Sequence, residues 1–304
     1  MKKLLKRILL KIRRFLGLES MLILSGKQLI ELHKNIKDVD YLGKFEFKVF
    51  SQWGEDGIIQ FLTRQTKIPN KIFVEFGVED YTEANTRFLL INDNWSGLVM
   101  DASKSNINFI KSDNIFWRYD LKAICSFITT DNINRLITEN IKEKDIGVLS
   151  IDIDGNDYWI WKAIDAVSPR IVVCEYNGIF GHEHFITVPY EKDFNRAKKH
   201  YSNLYWGASL PALCHLAGEK GYVFVGCNSN GNNAFFVRKD ICLLRPVDYK
   251  DGFVMPKFRE SRGRNSKLSF LGSADKVKAI YDMEVFNIKT NKVVLIKDIF
   301  SDNL

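Results

Sequence analysis

Two short apolar runs that end in acid constrain this chain more than any other feature in it. Phe73-Val74-Glu75-Phe76-Gly77-Val78 and, further on, Gly97-Leu98-Val99-Met100-Asp101 read as neighbouring buried strands. Continuous apolar runs of this length suit the parallel strands of an α/β sheet covered on both faces. In such open sheets ligands bind outside the carboxyl ends of the strands, and an acid ending the second strand can accept hydrogen bonds from a ribose diol. The blander alternative is that each acid is only a polar strand terminus. A dinucleotide site requires Gly-x-Gly-x-x-Gly after the first strand. Here Gly77 is followed by Val78-Glu79-Asp80-Tyr81, which offers no nest for a pyrophosphate. A nucleoside ligand without phosphates fits better, S-adenosylmethionine being the common one.

The rest of the chain alternates in the same way. Upstream, Ile58, Ile59, Phe61 and Leu62 lie in a helix broken at Pro69. Strands are expected over 72–76, 97–101, 115–119, 147–153 and 170–175, with helices over 83–92, 103–111, 127–142 and 157–166 between them. A long insertion then precedes a helix over 209–219 with Pro211 in its first turn. Tyr222-Val223-Phe224-Val225 and Ala234-Phe235-Phe236-Val237, joined by a segment rich in Asn, Gly and Ser, read as a hairpin. The expected fold is therefore α/β: a doubly wound, Rossmann-like parallel sheet closed by an antiparallel hairpin, the seven-strand plan of class I methyltransferases. The expected organisation is a basic amphipathic helix over 1–24, the ligand-binding domain over 25–240 and a small C-terminal extension over 241–304.

Charge is distributed unevenly. Residues 1–14 hold seven basic side chains (Lys2, Lys3, Lys6, Arg7, Lys11, Arg13, Arg14) and no acid, and removing these from the 44 basic residues leaves 37 against 37 acids. The domain itself is balanced, which argues against a nucleic-acid partner. Leu4, Leu5, Ile8, Leu9, Ile12, Phe15 and Leu16 fall on one helical face of the tail with the bases opposite. The interrupted apolar run is far short of the roughly 20 residues needed to span a bilayer. Such a helix suits an anionic membrane surface, or alternatively its own domain or another subunit. Five cysteines without a Cys-x-x-Cys pair suggest reduced thiols. The expected place is the cytoplasm, peripheral at the inner face of the cytoplasmic membrane; the oligomeric state is left open.

Ser51-Gln52-x-Gly54-Glu55-Asp56, the Phe73–Gly77 run, Asp101, Ser150-Ile151-Asp152-Ile153-Asp154-Gly155-Asn156-Asp157-Tyr158 and Asn230-Gly231-Asn232-Asn233-Ala234-Phe235-Phe236 occur in that order. Over most of 48–270 the chain resembles the FkbM-like class I methyltransferases of bacterial surface-polysaccharide genes. The resemblance implies that Glu75 and Gly77 border the methionine part of S-adenosylmethionine. It implies that Asp101 holds the ribose hydroxyls and that Asp120, after the third strand, approaches the adenine. The second glycine of the usual first motif is missing.

Asp152 and Asp154 lie two apart, on one side of the fourth strand if it continues that far. With Glu175 and Asn177 they would offer the oxygen ligands that Mg²⁺ prefers. Asp154-Gly155-x-x-Tyr158 is similar to the metal-binding strand of macrolide sugar O-methyltransferases, which implies Asp154, Glu175 and Asn177 as ligands. In the alternative, Asp152 touches the cofactor and Asp154 caps the following helix. His182-Glu183-His184 lies in a glycine-flanked loop where either imidazole could act as general base, with Asp154 next in line; zinc would lack a third partner. Arg259, Arg262, Arg264 and Lys267 suit a substrate phosphate or a solvated turn.

The expectation is thus an S-adenosylmethionine-dependent O-methyltransferase acting on a sugar hydroxyl of a bacterial surface glycan or its nucleotide-sugar precursor. Two rivals remain: a metal-dependent glycosyltransferase using Asp152-x-Asp154, and a catalytically silent scaffold.

Overall fold

The computed structural model describes residues 6, 9, 12–13, 15–36 and 39–300. Its centre is a seven-stranded sheet of β1 (Ile72–Phe76), β2 (Ser96–Asp101), β3 (Leu121–Cys125), β4 (Asp145–Ile151), β5 (Ser168–Glu175), β7 (Tyr222–Cys227) and β8 (Asn233–Arg238). The spatial order is β3-β2-β1-β4-β5-β8-β7. Pairing is parallel from β3 through β5, and β8 runs antiparallel to both β5 and β7. This is the expected doubly wound, Rossmann-like sheet with its closing hairpin, the class I methyltransferase order.

Alternation along the strands builds two cores. Val74, Phe76, Leu98, Met100, Leu149 and Ile151 face the helices carrying Tyr158, Ile160, Trp161 and Leu213. Phe73, Val99 and Val148 face the other way, onto Ile58, Ile59, Leu62, Leu89 and Ile110. Successive side chains of a strand point to opposite faces, so a central strand buried on both sides reads as one apolar run. Edge strand β3 alternates instead: Leu121 and Ala123 are buried, Lys122 exposed.

This edge is where the sequence misleads. The segment expected as a strand over 115–119 is a helix, Asn114–Arg118, capped by Asp113, whose carboxylate accepts from the Ile115 amide. Ile115, Phe116 and Trp117 favour strands by propensity, whereas the strand that forms contains Lys and Ala; packing overrides propensity here. The helix expected over 127–142 is confined to Ile133–Thr138, and the one expected over 83–92 is Arg87–Asp93. β4 ends at Ile151, two residues short of the expected 153.

A second, three-stranded antiparallel sheet forms where β6 (Ile186–Thr187), in the insertion after β5, pairs with β9 (Glu284–Asn287), itself paired with β10 (Lys292–Leu295). Phe180, Ile186, Val188 and Trp206 of the insertion share one core with Val277, Ile280, Val285 and Ile296. The C-terminal extension and the insertion therefore fold together.

Helix Leu18–His33 packs through Ile30, Leu22 and Ile23 on Phe47, Val49, Phe50 and Phe88. Of the tail before it, Lys6, Leu9, Ile12, Arg13 and Phe15 are helical. Lys2, Lys3, Leu4, Leu5, Arg7, Ile8, Lys11 and Arg14, which also carry the amphipathic reading, lie outside the described residues. Among the described residues no helix is long and apolar enough to cross a membrane.

Candidate functional site

The carboxyl ends of β1, β2 and β4 open onto two adjoining cavities. The first, of about 190 Å³, is lined by Gly77, Met100, Asp101, Ser126, Phe127, Ile128 and Phe194, among others. The second, of about 560 Å³, is lined by Trp53, Glu75, Asn85, Glu175, Arg196, Asn233 and Phe258, among others. They meet at Gly77, Glu79, Asp152 and Asp154, which line both.

Gly77 is fixed by space. Its φ is +71°, and a Cβ there would stand 1.5 Å from the Asp152 carbonyl oxygen. Only a hydrogen lets the turn after β1 pass the turn after β4. Glu79, Tyr81 and Asp154 also hold positive φ, so backbone strain gathers around this junction.

Asp101 ends β2 on the wall of the first cavity. Its Oδ1 accepts from the Ser103 amide at 2.7 Å and from Asn106 Nδ2 at 3.1 Å, which fixes the carboxylate's orientation. Asp120 is a correction. It precedes β3 instead of following it, and its carbonyl accepts from the Gly97 amide at the start of β2, so it lies at the opposite edge of the sheet. The residues that leave β3 towards the cavity are Ser126 and Phe127. The misplaced third strand hid them.

Glu75 lines the second cavity while its oxygens accept from the Asn85 and Thr86 amides and the Thr86 hydroxyl. Burial pushes it up to about 7, against those hydrogen bonds. It therefore clamps the loop after β1 as well as facing the cavity. The Ser51–Asp56 motif is a second clamp: Asp56 Oδ2 accepts from the amides of Val49, Phe50 and Ser51. Glu55 Oε1 accepts from Asn228 Nδ2 and Asn233 Nδ2, tying the closing hairpin to the helix that begins at Glu55.

Asp152, Asp154 and Glu175 each bring a carboxylate oxygen within 4.8 Å of the others. Strand geometry does not do this, because both aspartates lie beyond β4; the left-handed turn at Asp154 does. Burial, then repulsion from neighbouring carboxylates (Asp154 and Asp157 on Asp152, Asp152 and Asp154 on Glu175), holds both well above the usual carboxylate range. Asp154 does not cap the following helix. Asp157 accepts from the Ile153 and Gly155 amides instead, and Asp154 accepts from Arg196 Nη1 at 2.7 Å. Arg196 also pairs with Glu260 and lies over the Trp206 ring at 4.6 Å. The second cavity holds seven carboxylates (Glu75, Glu79, Glu83, Asp152, Asp154, Glu175, Glu260) against the one guanidinium of Arg196, with Trp53 and Phe258 stacked at 6.2 Å as an apolar shelf.

Three other expected residues fall elsewhere. Asn177 is a loop brace: its amide donates to the Leu204 and Trp206 carbonyls and its oxygen accepts from the Ile179 amide, so it is turned away from the carboxylates. His182 packs on Phe253 and His184 on Phe300, and neither lines either cavity. Burial lowers His184. The β6–β9 pairing draws the stretch after Gly181 into the small sheet and its core. Arg262 spends its amide on the Ser202 carbonyl, and Arg264 lies over Tyr201; neither Arg259, Arg262, Arg264 nor Lys267 lines either cavity. The sequence reading missed Arg196, Glu260 and Phe258, which no local motif marks and which the insertion and the C-terminal extension deliver, and Trp53, the unread position inside the Ser51–Asp56 motif.

The sequence matches no protein-family profile. It matches no curated protein either. Among solved structures, the N-terminal domain of EvdMO1 with SAH bound overlaps 69% of this chain and 94% of its own, at 9% identity and a TM-score of 0.41. An O-methyltransferase from Bacillus cereus in complex with SAH overlaps 71% of this chain and 89% of its own, at 11% identity and a TM-score of 0.38. PKMT2 from Rickettsia typhi in complex with AdoHcy overlaps 67% of this chain and 57% of its own, at 10% identity and a TM-score of 0.40. Likenesses this loose decide nothing about chemistry, which rests on this chain's own residues.

Proposed function

We propose that the chain is an S-adenosylmethionine-dependent O-methyltransferase whose acceptor is a sugar hydroxyl, of a bacterial surface glycan or its precursor. The observation that carries the reading is the meeting of two cavities at Gly77, Glu79, Asp152 and Asp154, on the carboxyl edge of the sheet. The first cavity suits the donor, with Asp101 at the ribose and Phe127 and Ile128 offering apolar surface to the adenine. The second suits the acceptor: an aromatic shelf for a ring, and carboxylates and amides to orient hydroxyls.

Bound in the first cavity and held by Gly77 and Asp101, S-adenosylmethionine would supply an electrophilic methyl group to the acceptor oxygen, with S-adenosylhomocysteine as the leaving group. The acceptor proton goes to the Asp152–Glu175 pair. The ionised member of a pair that shares one proton is a better proton acceptor than a carboxylate held by a cation, and Asp154 is held by Arg196. The histidines, away from both cavities, are set aside as the base. Alignment of the two substrates supplies much of the rate.

The three carboxylates also fit a divalent cation, Mg²⁺ included, because Glu175 Oε2 is buried with no hydrogen-bond partner. Such a cation would add Lewis-acid polarisation of the acceptor. Without that charge, and with Glu75, Asp152 and Glu175 raised towards neutrality, Glu79, Glu83, Asp154 and Glu260 still outnumber Arg196 and oppose a sugar diphosphate, which favours a neutral glycan over a nucleotide sugar and counts against the glycosyltransferase alternative. The same carboxylates favour an amine acceptor as the second reading.

Calorimetry with S-adenosylmethionine and S-adenosylhomocysteine, paired with a methyl-release assay over glycans and amino sugars, tests the proposal. Asp152→Asn and Glu175→Gln are expected to keep donor affinity while turnover falls roughly 10²- to 10⁴-fold. No heat from either donor form would remove the methyltransferase reading. Normal turnover in both variants would remove the base assignment alone.

A further inference from the structure

The tail and the helix after it present apolar surface that the fold leaves uncovered. Leu9, Ile12, Phe15 and Leu16 are 57, 48, 90 and 59% exposed, at helical spacing. At Gly17 the chain turns through φ +70° into helix Leu18–His33, which buries Gly26, Ile30 and His33 and leaves Leu18, Met21 and Leu24 exposed on its other side. The same short stretch of sequence concentrates the chain's excess charge: seven bases and no acid over residues 1–14.

We propose that residues 1–24 dock the protein on an anionic lipid surface, with the rim of the acidic cavity beside it and its carboxylates facing away from the headgroups. An interfacial helix needs both features present here, apolar side chains to enter the acyl boundary and cations to meet anionic headgroups, each cation near the surface contributing about 1 kcal/mol. A second copy of the chain is the poorer occupant, because it would bring two sets of seven cations together. The side is fixed by Lys6, whose Nζ lies 2.5 Å from Asp80 Oδ2. Asp80 sits in the loop that carries Glu79 and Glu83 to the wall of the acidic cavity. The tail is thus keyed to the rim of that cavity. Docking does not depend on the methyl-transfer reading; if both hold, the acceptor is one presented at a membrane.

Sedimentation of the full chain with phosphatidylcholine vesicles, with and without phosphatidylglycerol, tests the docking. The expected result is pelleting with anionic vesicles alone, lost as salt rises. A Leu9→Glu, Phe15→Glu, Leu16→Glu variant and a Lys2→Gln, Lys3→Gln, Arg7→Gln, Lys11→Gln variant should each lower partitioning roughly tenfold or more, with melting temperature and donor binding unchanged. An environment-sensitive dye at Glu83→Cys, in a Cys125→Ser background, should shift to the blue on anionic vesicles. The same dye at Lys144→Cys, at the opposite edge of the sheet, should not. Full-length protein that stays in solution, variants that pellet equally, or a doubled mass in light scattering that Leu9→Glu returns to one chain would overturn the docking. A dye shift at Lys144 and none at Glu83 would overturn the orientation.

Discussion

The two cavities share an edge of the sheet but are built in different ways. The first cavity is assembled mostly from turns that directly follow strands, with Phe194 of the insertion added: Gly77 after β1, Asp101 and Ala102 at the end of β2, Ser126 to Ile128 after β3, Asp152 to Asn156 after β4. The acidic cavity borrows from the whole chain. Trp53 comes from before the first strand, Arg196 from the insertion, Asn233 from the closing hairpin, and Phe258 and Glu260 from the C-terminal extension. A pocket made of strand ends inherits its geometry from the sheet. One made of distant segments depends on every contact that brings them together.

The sharpest way to break this comparison is at the shared wall. Gly77→Ala places a methyl carbon on the Asp152 carbonyl and an L-residue at φ +71°. The expected cost is roughly 3–5 kcal/mol of stability, the upper end for single substitutions, with donor binding lost. Denaturant melts and calorimetry read both. A normal melt with normal binding would mean that the β1 and β4 turns are not in contact.

Next in size, Asp101→Ala should weaken donor binding by about 1–3 kcal/mol, since a carboxylate receiving ribose hydroxyls makes charge-assisted bonds. Acceptor affinity should be untouched. Unchanged donor affinity in a folded variant would remove Asp101 from the donor site.

Arg196→Met sharpens the other half. Its partners Asp154 and Glu260 are 60% and 40% exposed, so solvent screens the pairs and little stability is expected to be lost. The guanidinium nonetheless ties the insertion to the extension across the cavity. Turnover should fall about tenfold, about 1.4 kcal/mol in barrier, with donor affinity unchanged. Loss of donor affinity as well would show that the two cavities are not separable.

The same division explains what the sequence disclosed. The parallel sheet, its closing hairpin and the strand-end positions of Gly77 and Asp101 were legible because local pattern encodes them: apolar runs buried on both faces, and an acid or glycine at their ends. Asp120 failed because a short helix rich in Ile, Phe and Trp imitates a strand, while the true β3 at the sheet edge carries Lys122 and Ala123. His182, His184 and Asn177 failed for another reason. Their loop was legible, but its destination was set by β6 pairing with β9, about a hundred residues away in a long-range contact of the kind local propensity does not report. Arg196 and Glu260 carried no local signal, being ordinary charged residues until two distant segments meet. The Ser51–Asp56 and Asn230–Asn233 motifs were visible; they clamp the site through Asp56 and Glu55 and also lend Gln52, Trp53, Asn232 and Asn233 to the wall of the acidic cavity.

The smallest expected effect concerns those clamps, and it is a dependence on pH. Burial pushes Asp56 and Asp157 up to about 6 and Glu75 up to about 7. A carboxyl raised in the folded state binds its proton more tightly there than in the unfolded chain. Stability therefore falls as pH rises from the unfolded carboxylate range of about 4 to the folded values, and levels off above them. Asp145 acts in the opposite sense: its hydrogen bonds to Arg170 and Arg238 hold it below the usual range, so its contribution is lost only as the medium becomes more acid still. His33, His184 and His200, lowered by burial, gain stability over the same window and offset part of this. The melting temperature should thus decline by only a few degrees between about pH 5 and pH 7, and Glu75→Gln should remove the upper part of that decline. A melting temperature that rises through this window would show that water reaches these carboxyls. In that case the loops that separate the two cavities would be looser than their hydrogen bonds imply.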